Sequence, residues 1–171
     1  MVNCKIIVLC LFLIVFSGCW ESDNTVQQKS GNDFYTATGG WDFARVPLIK
    51  PYVVKKLIDP KIPKHPWCIE FTSRNLSGPY NVKKVDVRDS IIYILAGKVD
   101  EKNDSTLVGA RNVPTGWFVI DTKKKTEKGF INEEEFYEYI NSNNYSLPKW
   151  FDVDSLSNAF IRGKKLPWVK P

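Results

Sequence analysis

The stretch 82-VKKVDVRDSIIYILA-96 contains the clearest pair of strands in the chain. Val85 and Val87 alternate with charged residues, which is typical of a β-strand with one solvated face. After the polar pair Asp89-Ser90, the residues from Ile91 to Ala96 are apolar or aromatic at every position. A strand that is apolar on both faces is expected at the centre of a sheet. The stretch therefore predicts a hairpin over 82–96 whose second strand is central.

Short runs of β-branched and aromatic residues elsewhere predict further strands. They lie at 52–58, 67–71, 116–120 and 127–130. The segment 41–51 contains Pro47 and Pro51, which block a long helix and are tolerated at a sheet edge. We therefore expect this segment to be extended or to form an edge strand.

The hydrophobic period changes from two to 3.6 near residue 131. Asn132 is a good N-cap, and Glu135 completes a capping-box pattern three residues later. Ile131 is placed to pack on Phe136 as a hydrophobic staple. A second short helix is predicted from Asp152 to about Arg162. Strands first and helices last predict an α+β domain, in which one or two C-terminal helices pack on an antiparallel sheet of about five to six strands.

The N-terminus has the composition of a secretory signal. Lys5 is followed by an apolar run over 6–16 and then by two small residues. The run is too short to span a bilayer, which takes about 20 apolar residues. Its ending, Phe16-Ser17-Gly18-Cys19, resembles the lipobox of bacterial lipoproteins. The resemblance implies cleavage before Cys19 and a diacylglyceryl group on its thiol. The alternative is an ordinary signal peptide cut near Ser17 or Gly18.

The chain is expected to have three parts. Residues 1–18 form the signal peptide, residues 19–40 the lipidated cysteine and a flexible tether, and residues 41–171 a single domain. The tether is polar and lacks periodicity, so it cannot bury a core. Lipid chains on Cys19 imply a membrane-anchored protein of the cell envelope that faces the periplasm or the exterior, since stable anchoring takes two or more chains.

The charge of the predicted mature chain is modest. Removal of residues 1–18 leaves 23 basic and 19 acidic residues, a formal net charge of +4. Such a balance is too weak to indicate a nucleic-acid partner. We therefore expect no nucleic-acid partner. The expected contacts are with the membrane, through the lipid on Cys19, and with a protein partner.

The residue types that carry catalysis are sparse. His65 is the only histidine, and Cys68 is the only cysteine beyond Cys19. A zinc site needs several such ligands, and a nucleophilic cysteine needs a base beside it. If residues 67–71 are extended, His65 and Cys68 are not expected to meet. We interpret them as a loop residue and a packed thiol.

The acidic residues have local explanations. Glu133, Glu134 and Glu135 complement the dipole of the first predicted helix, and Asp152 and Asp154 lie where a capping role suffices. The loop 100–105 has oxygen ligands but lacks the glycine and terminal glutamate of a calcium-binding EF-hand.

No glycine-rich phosphate loop or nucleophile elbow occurs in the sequence. We therefore predict neither a metal nor a cofactor, and we disfavour an enzyme. A hydrolase would have to join Glu70, Cys68 or Asp121 to a base that the sequence does not reveal.

The tryptophans offer one candidate binding surface. Trp67 and Trp117 are in phase with apolar neighbours and are interpreted as core residues. Trp150 and Trp168 lie in irregular segments beside prolines, so they are the candidate ligand-binding pair, with core packing as the alternative. Aromatic side chains suit ligand binding because they supply contact area at low entropic cost.

About sixty residues of the domain, from the hairpin to the first helix, resemble several uncharacterised small bacterial lipoproteins in their apolar pattern. The resemblance carries no functional motif, so no site is transferred from it. The function we expect is that of a lipid-anchored, non-catalytic envelope domain that binds a protein or an envelope component. The alternatives are a small-molecule or glycan-binding lipoprotein and a hydrolase.

Overall fold

The computed structural model describes residues 33–61, 65–69, 78–98 and 116–169. Cys19, Glu70 and the loop 100–105 lie outside these residues. The described residues belong to one compact unit, Gly31–Pro171. Of the helices in the described ranges, none is long and apolar enough to cross a membrane.

Strands and helices combine into an α+β fold, which confirms the predicted class. The first sheet is antiparallel, with the order β1 (Phe43–Pro47), β2 (Val53–Leu57) and β3 (Cys68–Ile69). The second sheet has the order β7-β6-β5-β4-β8, also antiparallel. Its strands are β4 (Val82–Arg88), β5 (Ile91–Ala96), β6 (Gly116–Asp121), β7 (Thr126–Phe130) and β8 (Phe151–Asp152). The two α-helices of the described chain are α1 (Glu133–Ser142) and α2 (Val153–Ile161).

The predicted hairpin is present as β4 and β5, and β5 occupies the middle of the second sheet. Its turn residue Asp89 has a φ of +53°, a conformation that aspartate tolerates better than most residues. The strands divide between two sheets, where the sequence predicted one sheet of five to six strands. The short strand β8 pairs Phe151 with Val85, and two residues are too few to carry a periodic signal.

The two faces of β5 explain why it is apolar throughout. Ile92 and Ile94 face the main core, where both sheets and α2 meet. Ile91 and Tyr93 face a second core, which α1 closes with Phe136 and Ile140. Burial on both faces leaves little room for charge on β5, where every residue except the half-buried Leu95 is buried.

The N-caps Asn132 and Asp152 are confirmed, although Asn132 accepts from Glu134 and not from Glu135 of the predicted capping box, whereas the hydrophobic staple is wrong. Asn132 Oδ1 accepts a hydrogen bond of 2.8 Å from the backbone N–H of Glu134. Asp152 Oδ1 accepts an equal bond from Ser155. Ile131 is 76% exposed, so it does not cover Phe136, which packs against other aromatic rings of the second core.

Some residues that the sequence assigned to the tether contact the domain. Asp33–Tyr35 form a short 3-10 helix, and the backbone carbonyl of Phe34 accepts a hydrogen bond from Arg45 on β1. Gly39 forms a β-bridge with Ala44. The packed part of the chain therefore includes residues before Trp41.

Candidate ligand groove on the first sheet

A groove of about 850 Å³ lies over the face of the first sheet that points away from the main core. Strand alternation produces this arrangement, because successive side chains point to opposite faces. Val46 and Val54 enter the core, while Arg45 and Lys55 line the groove. The volume falls within the range of small-molecule sites, roughly 300–1,000 Å³.

The strand register places a basic row across the groove. Arg45 on β1 lies opposite Lys55 on β2, and Lys55 lies opposite Cys68 on β3. The adjoining row pairs Phe43 with Leu57. Like charges that face each other across a strand pair destabilise the sheet. The row is therefore unfavourable to folding unless an anion lies on it.

Arg45 is held in place but is not fully satisfied. Its Nη2 donates a hydrogen bond of 3.1 Å to the carbonyl of Phe34, and its Cζ lies 5.4 Å from the centroid of the Phe34 ring. Its Nε is buried and has no hydrogen-bond partner among the residues that the structure describes. Burial lowers the pKa of the Arg45 guanidinium, because the charged form is poorly solvated there.

The rest of the described lining is apolar or aromatic, apart from His65 and Cys68. These further lining residues are Phe34, Val53, Pro66 and Tyr80. Among the lining residues that the structure describes there is no carboxylate, whereas Arg45 and Lys55 carry positive charge. The groove therefore combines a cationic row with an apolar surface.

His65 and Cys68 line the same groove, which the sequence did not predict. The Cys68 thiol lies 3.7 Å from the carbonyl of Pro66, to which it donates a hydrogen bond. A bond in this direction keeps the proton on sulfur, whereas a nucleophilic cysteine has to lose its proton to a base. This contact supports the interpretation of Cys68 as a structural thiol.

The predicted pair Trp150 and Trp168 belongs to two different clusters. Trp150 packs against the second core, with its ring stacked 6.0 Å from that of Phe136. Trp168 packs against the main core, and its indole N–H donates a hydrogen bond of 3.1 Å to the carbonyl of Pro47. Both side chains are half-buried. Ligand binding by this pair stays a prediction, but their contacts match the alternative of core packing.

Asp121, one of the proposed hydrolase residues, is buried at the end of β6. Its Oδ1 accepts hydrogen bonds of 2.9 Å from the backbone N–H groups of Lys123 and Lys124, and its Oδ2 accepts one of 2.7 Å from the Tyr145 hydroxyl. Burial alone raises the pKa of Asp121, but these bonds outweigh it and hold the pKa below the usual value. These hydrogen bonds give Asp121 a structural role, because they close the β6–β7 turn.

Asp154 binds other side chains rather than capping a helix. Its Oδ1 accepts a hydrogen bond of 2.8 Å from the indole N–H of Trp67 and one of 3.4 Å from Lys56. Burial raises the pKa of Asp154, but the opposite effect of these two partners is larger, so the pKa lies below its ordinary value. Asp154 thus links α2 to the first sheet.

Within the described ranges, no group of three or more histidine, cysteine or acidic side chains is placed to hold a metal ion. Comparisons with protein-family models, curated proteins and solved structures find no match to this chain. The groove is thus the candidate site on geometric grounds alone. The one signal of this groove in the sequence is the alternation on β1, where the cation Arg45 lies between the apolar residues Ala44 and Val46.

Proposed function

We propose that this chain is a lipid-anchored, non-catalytic binding protein of the bacterial cell envelope. The lipobox-like ending at Cys19 supports the anchor. The groove on the first sheet supports binding of an envelope component. The observation that carries the binding proposal is the buried Nε of Arg45, which finds no partner within the described part of the chain, inside a groove of small-molecule size.

The contacts of the chemically reactive side chains support a non-catalytic role. The Cys68 thiol donates to a carbonyl, and the carboxylate of Asp121 is occupied by three hydrogen bonds at the β6–β7 turn. Catalysis by these groups would require breaking bonds that stabilise the fold.

The anchor is tested by mass spectrometry of the N-terminal peptide of the mature protein, isolated from the membranes of a bacterial host. We expect a peptide that begins at Cys19 and carries a diacylglyceryl or triacyl modification. The Cys19→Ala variant should leave the membrane fraction. An unmodified peptide that begins at or beyond Cys19 would overturn the anchor.

Binding in the groove is tested by a photo-crosslinking amino acid placed at Leu57, which lines the groove and is 59% exposed. The matched control is the same probe at Ile131, which is 76% exposed at the start of α1. After irradiation of living cells, we expect a discrete mass addition at position 57 and none at position 131. Equal labelling at both positions, or none at position 57, would refute the groove as the binding site.

A further inference from the structure

We propose that the groove binds a single-chain anionic amphiphile, whose head group lies on the Arg45–Lys55 row and whose acyl chain covers the apolar residues beside it. This inference rests on the proposed function, because it names the ligand class of the same groove. The shared chemistry is one anionic head, either a carboxylate or a phosphate, and one hydrocarbon chain.

The need for an anion follows from the state of Arg45. A guanidinium has five N–H donors, and in the described ranges the buried Nε donor has no partner. A buried donor that lacks its hydrogen bond is unfavourable. The bond from Nη2 to the Phe34 carbonyl fixes the orientation of the fork. An anionic oxygen that accepts from Nε would satisfy the donor with a charge-assisted bond.

Lys55 strengthens the requirement for negative charge. It faces Arg45 across the β1–β2 pair, and no described lining residue is acidic. A neutral head group would leave the repulsion between the two cations in place. An anion between them replaces this repulsion with two attractions.

The need for a hydrocarbon chain follows from the row beside the charges. Phe43 and Leu57 form this row, and Leu57 is 59% exposed. Phe34 also lines the groove, and its ring lies within cation–π distance of Arg45. A small inorganic anion would leave these apolar surfaces in contact with water, whereas an acyl chain removes them from it.

The size of the groove favours one chain over two. Its volume of about 850 Å³ suits a molecule of drug-like size, comparable to a fatty acid or a lysophospholipid. A phospholipid with two acyl chains exceeds this size. The occupant is therefore a free fatty acid or a single-chain phosphate lipid, and the experiment distinguishes these two sources.

The test uses the mature lipoprotein reconstituted in phosphatidylcholine vesicles. Three diazirine probes with the same chain length are added in parallel: palmitic acid, palmitoyl lysophosphatidic acid and palmityl alcohol. After irradiation, labelled peptides are mapped by mass spectrometry. We expect at least one anionic probe to label the peptides of β1 and β2 about tenfold more than the alcohol does. Whichever of the two anionic probes labels more strongly identifies the head group.

The variants Arg45→Gln and Lys55→Gln should each lower this labelling about tenfold, the effect expected for a charge-assisted hydrogen bond. Lys98→Gln is the matched control, since Lys98 is exposed and is not among the lining residues; it should leave labelling unchanged. Lys55 is exposed, so its variant keeps the test valid if Arg45→Gln impairs folding.

Equal labelling by palmityl alcohol, or labelling that survives both substitutions, would overturn the inference. Absence of groove labelling by all three probes would overturn it as well. If the Leu57 photoprobe captures a peptide or a sugar in cells, the proposed function stands and this ligand class is wrong. If that photoprobe captures nothing, the proposed function itself fails.

Discussion

The backbone N–H of Lys149 donates a hydrogen bond of 2.6 Å to Oδ2 of Asp86. Asp86 lies on β4, on the face that the sequence predicted to be solvated, yet it is only 2% exposed. The same oxygen accepts a bond of 2.7 Å from Nε of Arg88. The buried carboxylate thus fastens the segment before β8 onto the second sheet.

Replacement of Asp86 by alanine should destabilise the domain by about 2 kcal/mol, because a buried hydrogen-bonding group that loses its partner costs about 1–3 kcal/mol. Urea unfolding of the protein measures the change. Lys84→Ala on the same strand is the control, since Lys84 is exposed and such surface changes stay within about 0.5 kcal/mol. Equal effects of the two substitutions would contradict a structural role for Asp86.

Asp121 should make the free energy of unfolding depend on pH. Its pKa is lowered in the folded state, so the unfolded state binds more protons and stability rises with pH. The contribution is present above the unfolded pKa of about 3.9 and is lost as pH falls through the folded value. Wild type should therefore be more stable than Asp121→Asn at pH 6, and the difference should shrink below about pH 4.

The Tyr145→Phe variant provides a second measurement of the same effect. It removes the hydroxyl that donates to Asp121 Oδ2 and leaves the two backbone donors in place. Its unfolding free energy should vary less with pH than that of wild type, and more than that of Asp121→Asn. A pH dependence that is identical in all three proteins would show that Asp121 is not responsible.

Replacement of Lys55 by glutamate should stabilise the unliganded domain and abolish binding of an anion. The acid would face Arg45 across the strand pair, and such a pair contributes about 0.2–1 kcal/mol relative to neutral residues. Urea unfolding and probe labelling report the two effects. Lys98→Glu makes the same charge change outside the groove and should alter neither. Destabilisation by Lys55→Glu would argue that the basic row serves folding rather than binding.

The first turn of α1 offers a test of its cap. Asn132→Ala should cost about 1 kcal/mol of stability, because it removes the acceptor for the Glu134 N–H. Asn132→Asp keeps the acceptor and should be nearly neutral. Ile131→Ala should change stability by no more than about 0.5 kcal/mol, since Ile131 is 76% exposed. A larger loss at Ile131 would restore the hydrophobic staple.

The groove could not be predicted from the sequence. Arg45, Lys55 and Cys68 come from three strands, and only the pairing register brings them into one row. The sequence predicted only that the segment 41–51 is extended or an edge strand, and it did not indicate what lies opposite Arg45. Trp150 and Trp168 show the converse, because residues beside prolines in irregular segments are half-buried by contacts with other parts of the chain.

By itself, the sequence determined the local elements: the hairpin of β4 and β5, the caps at Asn132 and Asp152, and the core position of β5. Each of these features depends on a few residues that are close together in the sequence, so a local pattern is enough to predict it. Only the tertiary structure decided the division into two sheets, the burial of Asp86 and the basic row on the first sheet. These depend on which distant segments pair and pack, and their free energies come from contacts between residues far apart in the chain.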